Sequence, residues 1–330
     1  MQIIRRVLLV LSSALYISCP VRADDGAASI AAGGIVMKRE TRISMQKEVL
    51  RISPRNVSVD YVFRNDTNED ITTEVAFPVP PYEMDWTHYS PAQQGFDDFR
   101  LTVEDKPVKF NVEVKAKLKG RDVSPILQKY GVDIATFGHL DNDTPRAKDI
   151  RRLSSAQRAS MVHAGLIDNE ADMDVAQWAV EKKYYWQQTF PAHLTIRISH
   201  KYTPVLGFTN SVSYGLNGED PEATKEIGSL CLDTRLTKSL SVLAADQNNG
   251  VPFSYVDFIL TTANTWKTPI EDFTLIVERP HEKNASQNFV SFCWDGPVTK
   301  IDADHFMAHS TNLVPKKELR VGFITVYKSR

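Results

Sequence analysis

Residues 61–81 read YVFRNDTNEDITTEVAFPVPP, and the reading of this stretch decides the fold. Starting four residues earlier, Val57, Val59, Tyr61 and Phe63 fall on one side of an extended chain. Ser58, Asp60, Val62 and Arg64 fall on the other. A period of two is the mark of a strand with one face in a core. NDTNED then supplies turn chemistry, because Asn and Asp side chains bond their own backbone and tolerate unusual φ. Ile71, Thr73, Val75 and Phe77 resume the alternation, so the stretch reads as a β-hairpin with a loop of about six residues. Pro78, Pro80 and Pro81 follow. They donate no ladder hydrogen bond and hold φ near −65°, so the sheet ends there and the chain leaves as a stiff extended arm.

Working outward, PYEMDWTHYSPAQQG is a long loop carrying Trp86, His88 and Tyr89. Aromatic side chains on such a loop either anchor a partner or fold back and are buried. Phe99, Leu101 and Val103 alternate, EDKP makes a turn, and Val108, Phe110, Val112, Val114, Ala116 and Leu118 alternate with lysines and other polar residues. The period changes after Lys119. DVSPILQKYG offers Ser124 as N-cap, Pro125 at the first helical position and Gly131 at the exit, and LSSAQRASMVHAGL offers a Ser154–Gln157 capping box closed by Gly165. Residues 121–175 therefore read as a small helical insertion. Strand patterns resume with WAVEKKYYWQQTFP and with Leu194, Ile196, Ile198, His200 and Tyr202 on one face. SYGLNGEDPEATKEIGS reads as loop-rich. Further β-type runs occupy 253–262, 273–277, 289–294 and 319–327. Short strands separated by Gly, Pro, Asn and Asp predict a mainly β protein of two sandwich-like units, residues 24–205 with the helical insertion and residues 206–330.

The 330 residues suffice for two units, and 15 Phe, 11 Tyr and 5 Trp can fill a core. The first 23 residues read as a secretory leader. Arg5 and Arg6 precede the apolar run Val7–Ile17, which is too short to span a bilayer, and Val21-Arg22-Ala23 places small residues at the third and last positions before a cut between Ala23 and Asp24. Cys19 raises a lipid-anchored alternative, in which Tyr16 stands where a leucine-like residue is usual. No other apolar run reaches the ~20 residues of a membrane span. Removal of the leader takes three of the 39 basic residues and none of the 41 acids, for a net charge of −5. With no basic block, nucleic acid is not an expected partner. The expected location is the periplasm or the medium.

Chemistry-bearing patterns are few. No G-x-S-x-G, H-E-x-x-H, P-loop or dinucleotide fingerprint occurs, so no catalytic, cofactor-binding or metal-binding residue is assigned. His305 and His309 lie four apart near Asp302 and Asp304. On a strand that spacing is about 13 Å, too far for one ion. His200, in phase with an apolar face, reads as a core residue bonded to a neighbour, with proton transfer as the alternative. Cys231 and Cys293 are the two cysteines beyond the leader. An even pair in an exported chain predicts one disulfide, with two separate buried thiols as the alternative.

DDGAASIAAGGIV, the opening stretch, YYWQQTFPAHLTIRISHKYTPVLG, TANTWKTPIEDFTLIVE and VSFCWDGPVTKI together resemble an exported bacterial family known as domain of unknown function 4424. That resemblance lends no catalytic residues. The first half is also similar to the vault/inter-alpha-trypsin domain, in a strand ending Phe-Pro-x-Pro, a strand pair, helices and a returning strand ending in Tyr202. This second resemblance implies a β-sandwich with a helical segment. The expected function is a non-catalytic binding or structural module of the envelope, facing a protein or glycan. The alternative is an exported hydrolase, which requires His200 or the His305–His309 pair beside clustered carboxylates in a cleft.

Overall fold

The structure is a computed structural model that describes residues 25–31, 34–83, 96, 98–132, 134, 153–170, 173–209, 212–246 and 249–328. Among these residues the chain is mainly β. The longest sheet runs β20 (Val298–Lys300), β21 (His305–Leu313), β18 (Ile270–Glu278), β3 (Ile43–Ser53), β4 (Asn56–Asn65), β14 (Thr195–Tyr202), β7 (Arg100–Val103), β8 (Lys106–Pro107). Its pairs are antiparallel except β18 with β3, which is parallel. That one pairing sets strands from the two halves of the chain side by side, and the sheet is continuous across residue 205.

Two shorter sheets cover one face of the long one. The first runs β10 (Arg121–Asp122), β9 (Asn111–Leu118), β13 (Ala179–Phe190), β5 (Ile71–Pro78), β1 (Gly26–Ala31), β2 (Gly34–Met37), with β6 (Tyr82–Glu83) also on β13. The second runs β15 (Gly207–Thr209), β17 (Phe253–Phe258), β22 (Leu319–Lys328), β16 (Asn249–Gly250), with β19 (Ala285–Phe292) on β22. The long sheet turns Leu50, Ile52, Val59, Tyr61, Phe63, Ile198, Phe273 and Leu275 inward. They share one cluster with Val75, Phe77, Tyr184 and Trp186 of the first cover sheet and Val256, Phe258, Val321 and Phe323 of the second. The cover sheets meet at Phe77 and Phe258, ring centroids 6.2 Å apart. The long sheet's other face is polar, with Arg51 and Asp60 paired across β3 and β4, each about half exposed.

The opening stretch is not a hairpin. β4 pairs with β3 and β14, and β5 pairs with β13 and β1. The two strands lie in different sheets and face each other across the core, which produces the same one-sided alternation as lateral pairing. NDTNED is an arch between layers. Its first residue, the fully buried Asn65, donates to the carbonyls of Glu69 and Phe190 and accepts from the Thr67 amide. The prolines do end β5, an interior strand, but they do not take the chain off the sheet: the Val79 amide bonds Lys182, and after Pro80 and Pro81 the chain pairs with β13 again as β6.

The long alternation over 108–118 is also split. β8 belongs to the long sheet and β9 to a cover sheet, and Val108 and Phe110 pack on the core as the chain crosses between them. Lys115 is not wholly in water, since it lies 3.5 Å from Glu113, and both side chains are largely covered.

The expected helical insertion is mixed. It holds α1 (Ser124–Lys129), α2 (Ser155–His163) and the hairpin β11 (Ile167–Glu170) with β12 (Met173–Ala176). The Ser154–Gln157 capping box is present. Ser124 is not the cap of α1: it is the first helical residue, and its hydroxyl accepts the Ala116 amide instead. Leu127, Met161, Ile167 and Trp178 make a second core at the end of the cover sheet. The stretch read as loop-rich is helical: α3 (Val212–Leu216) and α4 (Pro221–Gly228) are followed by α5 (Thr234–Ala245). Asp220 caps α4 at the Glu222 and Ala223 amides, and Asp233 caps α5 at Leu236. These helices and the turn between α4 and α5 bury Val212, Ile227, Leu230 and Leu240 against Phe253, Ile324 and Val326. The second cover sheet is therefore buried on both faces, which explains why Val321–Val326 is an unbroken buried run.

Candidate functional site

Several polar side chains of the first half are buried, among them Glu48, Asn65 and Lys182, and two of them, Asp25 and His200, meet inside the core. His200 projects inward from β14, and its Nε2 lies 2.8 Å from Oδ1 of Asp25, with both side chains fully enclosed. Rings of Phe77, Phe99, Tyr61 and Trp186 surround the imidazole at centroid distances of 4.9–5.6 Å. The backbone of Asp25 is held as well: its amide donates to Tyr61 Oη, and its carbonyl accepts from Trp266 Nε1. Burial pushes the Asp25 carboxyl above its ordinary range, against the opposing pull of His200. Both side chains are enclosed, and a second fully buried carboxylate, Glu48, sits in register with Tyr61 on the neighbouring strand. The Asp25–His200 pair fixes the start of β1 inside the molecule and does not present a base to a substrate.

The other two candidate histidines, His305 and His309, lie apart on β21. His305 Nδ1 lies 2.9 Å from Asp302, and His309 Nε2 lies 2.9 Å from Asp272 of β18, so each has its own carboxylate. Among the described residues no three His, Cys, Asp or Glu side chains gather closely enough to hold a metal ion. Trp86, His88 and Tyr89, and the cleavage pair Ala23 and Asp24, lie outside the described residues.

The second half of the molecule carries an open cleft of about 720 Å³. One wall is Cys293, Trp294 and Asp295, directly after β19. The other is the end of β21 and the connection to β22, from Ser310 to Leu319, with Leu260 at the floor. Cys293 is bonded to Cys231 in the turn between α4 and α5, with their Cα atoms 5.0 Å apart. Ser291 Oγ donates to the Leu230 carbonyl in the same turn. These links tie the tail of β19 to the helical layer. Trp294 then stacks on Phe273 at 5.5 Å with 20° between the planes.

The facing connection is equally fixed. Glu318 accepts the amides of Leu260 and Thr261 and the Thr261 hydroxyl, at 2.7–3.1 Å. Asn264 Nδ2 donates to the Pro315 carbonyl. Lys317 and Asp295 face each other across the mouth at 3.6 Å. A cleft of this volume, with an aromatic wall, an apolar floor and a few polar groups on fixed backbone, has the form of a small-molecule site. Sequence reading passed over Trp294 and Leu313–Lys317. The one local signal was a tryptophan directly after a predicted half-cystine.

A solved structure of a Legionella pneumophila protein provisionally described as nutrient binding is similar at 15% identity, with a TM-score of 0.40, covering 86% of this chain and 68% of that one. At that level of likeness it carries no argument about the site. No curated protein matches the sequence. The family model for domain of unknown function DUF4424 matches residues 23–321, and this chain belongs to that family.

Proposed function

We propose that the protein is an exported, non-catalytic binding module of the bacterial envelope that holds a small ligand in the cleft beside the Cys231–Cys293 disulfide. The cleft carries this reading, because its walls are fixed by a covalent bridge, a stacked Trp294 and a spent Glu318 before any ligand arrives. Preformed walls lower the ordering cost of binding. Export to the periplasm or the medium is supported by the leader pattern of residues 1–23 and by a cysteine pair of the kind that persists in oxidising compartments.

The test uses chain recovered from the periplasm of an expressing cell. N-terminal sequencing is expected to begin at Asp24, and retention of Met1 in the cytosol would refute export. Native mass spectrometry is expected to show a bound small molecule on the wild type. Trp294→Ala, with unchanged circular dichroism, is expected to lose it. Retention of the same mass by Trp294→Ala would move the ligand away from this cleft.

A further inference from the structure

We infer that the ligand of this cleft is an amphipathic anion, with an apolar body laid against Trp294 and a carboxylate or comparable anionic head at Lys316. This rests on the cleft being the binding site, and it adds the chemical class of the occupant.

The argument is an inventory of what the lining still has to offer. Its apolar part is Leu313 and the face of Trp294 not turned to Phe273, backed by the buried Leu260 and Leu319, with Val314 left 52% exposed at the rim. An apolar wall beside bulk water on an otherwise polar rim is a surface that a ligand body can cover at a gain of about 25 cal/mol per Å².

The charged part is asymmetric. Two carboxylates line the cleft, Asp295 and Glu318. Glu318 is turned to the backbone of Leu260 and Thr261 and accepts three hydrogen bonds there. Asp295 faces Lys317. Lys316 remains: it is exposed, it lines the cleft, and among the described residues no carboxylate pairs with it. The neutral polar lining adds donors in the same place. Ser310, Thr311 and Asn312 make no side-chain hydrogen bond among the described residues. One unneutralised ammonium and three neutral groups able to donate make the polar end of the cleft a receptor for negative charge.

A cationic ligand would meet Lys316 with Glu318 committed to backbone amides and with Asp295 out at the mouth, 92% exposed and beside Lys317. A wholly polar ligand such as a free sugar would leave the apolar wall uncovered. An anion with an apolar body satisfies both ends. The volume is in the range of sites that enclose drug-sized ligands.

The probes are 2-naphthoate and its uncharged counterpart 2-naphthamide, titrated into the processed chain by calorimetry. Three variants accompany the wild type: Lys316→Gln, Lys316→Arg and Trp294→Ala. A charge-assisted hydrogen bond at the head predicts that naphthoate binds at least about tenfold more tightly than naphthamide. Lys316→Gln should erase that ratio, and Lys316→Arg should keep most of it. Trp294→Ala should weaken both compounds alike, and salt should weaken naphthoate alone. Melting curves confirm that the variants fold.

Equal affinity for the two probes, or a ratio untouched by Lys316→Gln, overturns the anionic class. If Trp294→Ala still weakens both in that case, the cleft stands as the site and only the class falls. Binding of naphthoate undiminished by Trp294→Ala overturns both readings. Failure of either probe to bind, with a neutral or cationic molecule retained by the wild-type chain from the cell, also overturns the class.

Discussion

The long sheet presents the same inner face to two partners, and the two interfaces end differently. Against β5 and β13 the gap is closed by rings, and the polar pair Asp25 and His200 is sealed among them. Against β19 and β22 the gap opens at β21 into a cleft whose polar lining reaches solvent, and the wall is held by a disulfide. The comparison teaches where order comes from in each half. The closed half is held by burial and needs its polar groups matched. The open half cannot bury its rim, and covalent and hydrogen-bonded links hold the walls in place of packing.

The largest way to break this contrast is to orphan the buried pair. Asp25→Ala leaves an enclosed imidazole without its carboxylate and is expected to cost about 3–5 kcal/mol in urea unfolding. The double change Asp25→Ala with His200→Leu should cost less than the sum of the single changes, because it removes both polar partners together. A cost below about 1 kcal/mol for Asp25→Ala would mean the first half is not sealed.

Replacing Cys231 and Cys293 by Ser tests the other half. The bridge spans a sequence separation of 62, and its loss is expected to cost about 2–4 kcal/mol. It should also raise hydrogen exchange at β19 and the α4–α5 turn while leaving β4 and β14 protected. Equal loosening of all four would show that the disulfide staples the whole molecule and not the cleft wall.

Acidity sharpens the comparison further, because one buried carboxyl of the first half and one exposed carboxyl of the second respond to pH with opposite sign. Burial raises the Asp25 carboxyl and His200 only partly offsets it. A raised acid binds its proton more tightly in the folded chain. Its contribution is therefore complete below the ordinary value of 3.8 and is lost as pH rises through the folded value. Asp302, exposed beside His305, is lowered to about 2 by hydrogen bonds from the Asp304 amide and from the His305 side chain and amide. Its contribution is present above 3.8 and is lost as pH falls through about 2. Urea midpoints measured from pH 2 to 7 should change slope above pH 4 for Asp25→Asn and only below pH 4 for Asp302→Asn. The reverse pattern would overturn the assignment of burial.

The smallest effect is expected on the long sheet's outer face. Arg51→Ala breaks a half-exposed pair with Asp60 and should change stability by no more than about 0.5 kcal/mol. A larger loss would show that this face is covered in the working protein.

Some of this was legible in the residues. Alternation located β4, β5, β13 and β14, and the Ser154 capping box located α2. His200 was legible as an inward residue, because it kept phase with Ile198 and Tyr202. Its partner was not, since Asp25 lies 175 residues earlier and no local pattern marks it. The helices over 212–245 were obscured by Asn, Gly, Asp and Pro residues that serve turns and helix caps alike. Asp220 with Pro221 is a cap and a first helical position here, and α4 buries only Ala223 and Ile227, too few to show a period.

What the sequence by itself determined is the strand content and the family, because periodicity and motif spacing are properties of the chain alone; it offered the pairing of Cys231 with Cys293 beside two separate thiols, and the approach of their Cα atoms to 5.0 Å decided between them. Tertiary structure alone decided which strands lie side by side and which face each other across a core. A strand shows its neighbours only an inner and an outer side, and β4 followed by β5 has the same inner side in a hairpin as in an arch between sheets. The parallel contact of β3 with β18, the enclosure of Asp25 beside His200, and the cleft between Trp294 and Lys316 all follow from that layering. Each joins residues distant in sequence, through packing that no short stretch of the chain encodes.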